Sequence, residues 1–173
     1  MERAKMIRLF ILVLIISLGA LIWTFSGFKN DFQLGIGLLM AILTGLWLIS
    51  LVIKDASIID VFWGSGFVII AWFYAFQNDL ANMGFREMIL LSMITIWGMR
   101  LTIYLAMRNL GKGEDYRYAQ WRKDNGEKWW WLSFFRVFAL QGFLLWIISA
   151  TYLPSLSTRA EMGALEYFGV LLW

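Results

Sequence analysis

Residues 111–128 read "GKGEDYRYAQWRKDNGEK", the longest polar run in a chain of 173 residues that is 61% hydrophobic. What this segment is embedded in decides the fold. The mean hydropathy of +0.68, the 18% of aromatic residues and the single proline belong to a chain whose solvent is mostly lipid. About 20 helical residues cross a hydrocarbon core of about 30 Å. Five apolar runs reach that length, at 7–25, 33–53, 58–76, 88–107 and 132–153. A sixth, 163–173, opens at Gly163 and has no basic flank, cap or turn to close it. The expected fold is all-α: a polytopic membrane helix bundle with five complete spans plus the start of a sixth. It forms one domain over residues 1–173, truncated at its C-terminal end, with a polar loop at 108–131.

The opening MERAKMIRLFILVLIISLGALIWTF carries basic residues ahead of its apolar run. A secretory signal is one reading, but no small-residue cleavage site follows, so a retained first span is preferred. Placement of Lys and Arg sets the orientation. Arg3, Lys5 and Arg8 put the N-terminus in the cytoplasm. Alternation then puts Lys54, Arg108, Lys112, Arg117, Arg122, Lys123 and Lys128 on the same side, and Lys29, Arg86 and Arg159 on the other. Trp129–Trp131 read as an interfacial anchor, with Arg136 snorkelling to the same surface. Pro154 is expected to end the fifth helix.

The chain has no cysteine and no histidine. That excludes disulfides, thiolate or imidazole metal sites and a Ser-His-Asp triad. Acid–base work falls to carboxylates, Tyr, Lys, Arg or a cofactor. No metal is expected. The net charge of +3 is modest, and no nucleic acid partner is expected; membrane lipid is.

Three features carry chemistry. Within the polar run, 114–126 has the charge order of a short helix, with Glu114 and Asp115 in the first turn, Arg122 and Lys123 in the last, and Asn125-Gly126 as its stop. Tyr118 and Trp121 are free to face the membrane, and the amides of the helix start to meet an anion. The segment either lies on anionic headgroups or is a lid that binds cofactor phosphates through Arg108, Lys112 and Arg117. In the fourth span Trp97, Arg100, Tyr104 and Arg108 share one helix face. Arg100 lies inside the apolar run, where a charge is costly. It either snorkels or pairs with Asp60, one turn inside the third span on a face shared with Trp63, Gly64 and Phe67. Gln141, mid-way along the fifth span, either bonds across helices or meets a substrate carbonyl. Gly64 and Gly66 read as a helix contact, not a nucleotide loop.

SIIDVFWGSGF, WGMRLTIYLAMRNLGKGEDYRYAQWR and FRVFALQG together resemble the bacterial membrane proteins of the steroid 5-alpha-reductase-like group. The matching positions are Asp60, Trp63, Gly64, Trp97, Arg100, Leu101, Arg108, Glu114, Asp115, Arg117, Tyr118 and Gln141. The resemblance implies a bacterial inner-membrane reductase of about seven spans, which uses NADPH to reduce an activated carbon–carbon double bond in a lipophilic, steroid-like or enone lipid. It implies that Arg108, Lys112 and Arg117 bind the nucleotide phosphates. Asp60, Arg100 and Tyr104 would line the catalytic cavity, Tyr104 as proton donor or carbonyl partner, beside Trp63, Trp97 and Gln141. The family's C-terminal histidine-containing motif, part of its cofactor site, has no counterpart here, so the chain as it stands is expected to be inactive. A non-catalytic membrane protein with a lipid- or partner-binding loop, and an isoprenylcysteine-methyltransferase-like enzyme using S-adenosylmethionine, remain the alternatives.

Overall fold

A computed structural model describes residues 29–173; the expected first span, 7–25, and the basic residues before it lie outside them. Every regular element among the described residues is helical. Helices α1 (Lys29–Ile53), α2 (Ile58–Gln77) and α3 (Phe85–Asn109) are joined by tight connections. A shorter helix, α4 (Tyr116–Asn125), follows. After one 3₁₀ turn the chain continues through α5 (Trp129–Ser133), a π-helical segment (Phe134–Ala139) and α6 (Leu140–Ser149). Two short helices, α7 (Leu153–Ser157) and α8 (Ala164–Leu172), complete the chain. Among the described residues four helices are long and apolar enough to cross a membrane: Asn30–Ile53, Ile58–Gln77, Phe85–Asn109 and Tyr116–Ser149. They correspond to the second through fifth expected spans. The run at 163–173 forms only the nine-residue α8, about 14 Å at 1.5 Å per residue.

The packing centres on α2. Its closest neighbour is α3, and the contact is backbone on backbone at Gly64 and Gly98. A Cβ built on Gly98 would lie 2.6 Å from the Gly64 carbonyl oxygen, and one on Gly64 would collide with the Gly98 carbonyl. Only hydrogen fits at either position, the reason small residues mark membrane helix crossings. Gly66, the other half of the sequence pair, faces Leu145 of α6 instead.

Two apolar clusters fill the interior. Phe32, Leu39, Phe67, Ile70, Tyr74, Leu145 and Trp146 form one. Phe32 stacks on Trp146 with ring centroids 4.2 Å apart, and the Trp146 indole donates to the Phe32 carbonyl at 2.6 Å. Leu43, Ile59, Tyr118, Trp129, Val137 and Phe138 form the second, so α4 and α5 close one end of the bundle.

Several local expectations are corrected. The 108–131 loop is largely helix. Asp115 caps it from outside, its carboxylate accepting the Arg117 amide at 2.9 Å, so the free amide is answered internally. Glu114 lies before the helix. Gly126 ends α4 at φ +49, as the Asn-Gly stop predicts. Tyr118 faces the core, 4% exposed, and not the membrane. Trp129 is also buried, under the Arg122 guanidinium, while Trp130 and Trp131 are exposed. The fifth helix stops at Ser149, and Pro154 opens α7, where its missing N–H costs nothing.

Gly98→Ala is expected to destabilise the protein by about 3 kcal/mol, the upper end of overpacking, because the clash is with backbone. Unfolding in mixed micelles measures it.

Candidate functional site

Asp60 stands in the first turn of α2, where the helix dipole favours a carboxylate. One of its oxygens accepts the Tyr118 hydroxyl at 2.7 Å and the other accepts Arg117 Nη2 at 3.0 Å. Arg117 is gripped from behind as well, donating from Nε to Asp115 Oδ1 at 2.9 Å and from Nη2 to Asp115 Oδ2 at 3.2 Å. Those bonds, with the Arg117 amide, hold the Asp115 carboxyl below the ordinary aspartate range. Gln141 Nε2 donates to the Tyr118 oxygen at 3.3 Å, and the Trp63 indole donates to Gln141 Oε1. The result is one directional chain, Trp63 to Gln141 to Tyr118 to Asp60, met at the carboxylate by Arg117. All of its polar atoms are used in pairs, which is what a half-buried network requires.

The segment is fastened a second time beside this chain. Arg122 donates to both Glu114 oxygens at 3.0 and 2.7 Å, and Glu114 Oε1 also accepts the Ala56 amide at 2.8 Å. The polar run is therefore bound at the start of α2 twice, through the Asp60–Arg117 pair and through the Ala56 amide held by the Arg122-braced Glu114 carboxylate.

A groove of about 560 Å³ opens in front of the pair, lined by Asp60, Trp63, Phe67, Trp97, Arg108 and Arg117, with Leu101, Leu105 and Ile148 completing the wall. Of the nine site residues expected from the sequence, five meet here: Asp60, Trp63, Trp97, Arg108 and Arg117. Gln141 stands behind the groove. Lys112 is exposed and away from it. The Asp60–Arg100 pair does not form: Asp60 is bonded to Arg117 and Tyr118, and Arg100 is exposed with no ion pair among the described residues. The cause is the Gly64–Gly98 crossing. Gly98 is the α3 residue that faces α2, and Arg100, two residues on, points about 200° round the helix. Tyr104 is 61% exposed and outside the groove wall.

Sequence reasoning missed Tyr118 and the holding role of Asp115. The signal was present. With the helix opened at Asp115, Tyr118 and Arg122 fall four residues apart on one face, and that face carries the Asp60 and Glu114 partners. The π segment, whose wide turn re-phases the helix just ahead of Gln141, has no sequence mark that we find; such segments gather at functional sites.

The architecture is that of an integral membrane protein built from apolar helices. The chain belongs to the family described as "Protein of unknown function (DUF1295)", whose profile matches residues 46–173. That range contains every member of the groove and of the hydrogen-bonded chain behind it. No curated protein and no solved structure matches the chain.

Two outcomes test this geometry. A double-mutant cycle of Asp60→Ala with Arg117→Ala should give coupling of about 1 kcal/mol, held down by the exposure of Arg117. The cycle of Asp60→Ala with Arg100→Ala should give about zero. Second, the depressed Asp115 value makes the tether a stabilising term that is complete above the ordinary aspartate pKa of 3.8. It is lost as pH falls below that value through the folded one. The hydrogen-exchange protection of the Arg117 amide, which Asp115 accepts, should hold at pH above about 4 and fall only below it.

Proposed function

We propose that this chain carries the substrate-facing groove of an NADPH-dependent membrane reductase acting on the carbon–carbon double bond of a lipophilic enone. The observation that carries the reading is the groove itself: an aromatic and aliphatic wall with an arginine-rich end, closed by a carboxylate-held guanidinium. The steroid 5-alpha-reductase-like character of the sequence motifs supports the same reaction class.

The fit to a nucleotide is partial. Arg108 lines the groove and, among the described residues, bonds only its neighbour Asn109, at 3.3 Å, so it is available to one phosphate. Trp63, Phe67 and Trp97 offer flat apolar surface to a ring. Arg117 is less suited to phosphate than the sequence implies, because two carboxylates already neutralise it. When bound, NADPH supplies the hydride.

What remains for the chain is to position and polarise. Asp60 and Asp115 fix the Arg117 guanidinium, and its Nη1 has no partner among the described residues. A substrate carbonyl at the groove's polar end accepts from that nitrogen, which favours negative charge developing on the oxygen. Gln141 and Tyr118 keep Asp60 in place for this task. Arg117 therefore takes the carbonyl role that the resemblance gave Tyr104. A non-catalytic reading has one observation in its favour, the outward exposure of Arg100, Tyr104 and Lys112, which suits lipid headgroups or a partner. S-adenosylmethionine chemistry has none.

The reading places the groove, with α4, at the cytoplasmic face of the inner membrane and the N-terminus on the same side, with the first span retained. The chain contains no cysteine, so single introduced thiols report topology cleanly. Lys112→Cys should react with an impermeant maleimide only in inverted vesicles, and Glu161→Cys only in intact spheroplasts.

The decisive experiment uses the protein as its genome encodes it, in native membranes, with NADPH and an enone lipid. NADPH consumption that depends on the enone, falls about 100-fold in Arg117→Leu and survives Arg100→Leu is the expected result. No binding of NADPH and no consumption overturns the proposal, and stabilisation by S-adenosylmethionine instead would replace it.

A further inference from the structure

The lining of the groove is graded along its length. Trp97, Leu101, Leu105 and Arg108 follow one another on α3 at steps of four, four and three residues, and all four line the space. One face of that helix therefore forms a wall about 16 Å long at 1.5 Å per residue. The inner end of the groove is apolar. Phe67, two turns beyond Asp60 on α2, meets Trp97 there with ring centroids 5.6 Å apart, and Ile148 stands near the end of α6. The outer end, where α2 begins and α3 finishes, carries every charge in the lining: Asp60, Arg108 and Arg117.

Those three charges are not equally occupied. Asp60 and Arg117 answer one another at 3.0 Å. Asp115, outside the wall, takes the Arg117 Nε. Arg108 has no ion pair among the described residues: its Nε donates to Asn109 Oδ1 at 3.3 Å, and neither Nη has an acceptor there. A guanidinium can aim two parallel donors at one anion, and those of Arg108 are unspent. The lining thus joins one long apolar wall to one unpaired cation at its outer end.

We propose that the groove takes a single-chain amphiphile with an anionic headgroup. The head sits on Arg108, and the chain runs along Leu105, Leu101 and Trp97 to Phe67. The inference rests on the reading of the groove as substrate-facing and names the class of lipid: the carbonyl keeps its place at Arg117, and the anion has a second one at Arg108. The groove's volume of about 560 Å³ lies within the range of about 300–1,000 Å³ in which apolar walls supply contact and a few polar groups fix orientation. One unpaired guanidinium matches one anion. Carboxylate and phosphate heads share this chemistry. An alcohol of the same chain length fills the wall equally well and leaves the Arg108 charge unanswered.

The test reads binding and not turnover. The purified protein, as its genome encodes it, is equilibrated in maltoside micelles with equal amounts of an alkyl carboxylate, an alkyl phosphate and an alkyl alcohol of one chain length. The retained ligand is weighed by native mass spectrometry. An anion should be retained over the alcohol by about tenfold, the worth of a hydrogen bond to a charged group, and the larger of the two ratios names the headgroup. Arg108→Gln should bring both ratios near one, and Leu101→Trp should lower retention of all three ligands by filling the wall. Lys112→Gln removes an exposed cation outside the groove and should change nothing. Wild-type ratios near one overturn the proposal without any variant. So does a preference that survives Arg108→Gln, or one that vanishes with Lys112→Gln and so belongs to surface charge. Enone-dependent NADPH consumption without the anion preference defeats this inference alone. The preference without consumption defeats the reductase reading and leaves the ligand class standing.

Discussion

The site depends on one carboxylate with two obligations. Asp60 accepts a neutral hydroxyl on one oxygen and a guanidinium on the other. The first bond draws Tyr118, Gln141 and Trp63 into line, joining α4, the helix after the π segment, and α2. The second draws the polar run down onto the end of the bundle where α2 begins. Remove the carboxylate and both ties fail together, because neither Tyr118 nor Arg117 has a second anchor in α2. The arrangement is possible only where the start of α2 lies open to α4, and the Glu114 bond to the Ala56 amide keeps it there.

A charged pair at a membrane boundary has to manage solvation as well as attraction. Asp60 is the more buried partner, its side chain 16% exposed against 49% for Arg117. The guanidinium bridges a half-buried acceptor and a more exposed one, Asp115. Burying an ion pair outright often costs more than it returns. Here the arginine keeps part of its hydration while the aspartate obtains two donors. That division leaves Arg117 positioned but not sealed off.

The helical class and four of the expected spans were legible because spans are set by length and apolarity alone: 33–53, 58–76, 88–107 and 132–153 reappear as membrane-length helices among the described residues. The charge order of 114–126 was legible for the same local reason, since capping and dipole preferences act within one turn. What could not be read was which side of each helix faces its neighbour. The periodicity correctly grouped Trp97, Arg100, Tyr104 and Arg108 into a stripe. The close approach of Gly64 and Gly98 then set the rotation of α3, so that Trp97 and Arg108 border the groove while Arg100 and Tyr104 lie outside its wall. A glycine has no side chain to mark a face by hydropathy, so the residue that decided the rotation was the one that pattern reading weighs least. Tyr118 was misjudged on similar grounds. An amphipathic ring suits the headgroup region or a polar partner equally, and its partner lay 58 residues away in sequence.

Organisation at the Asp60 end comes from within the chain. Both oxygens of Asp60 and both of Asp115 are answered by donors already in the bundle, so the fold itself orients the Arg117 guanidinium. Donors held in this way need no reorganisation when charge develops beside them. One helix, α3, carries Trp97 and Arg108 along the groove, and the contact of Gly98 with Gly64 sets its rotation.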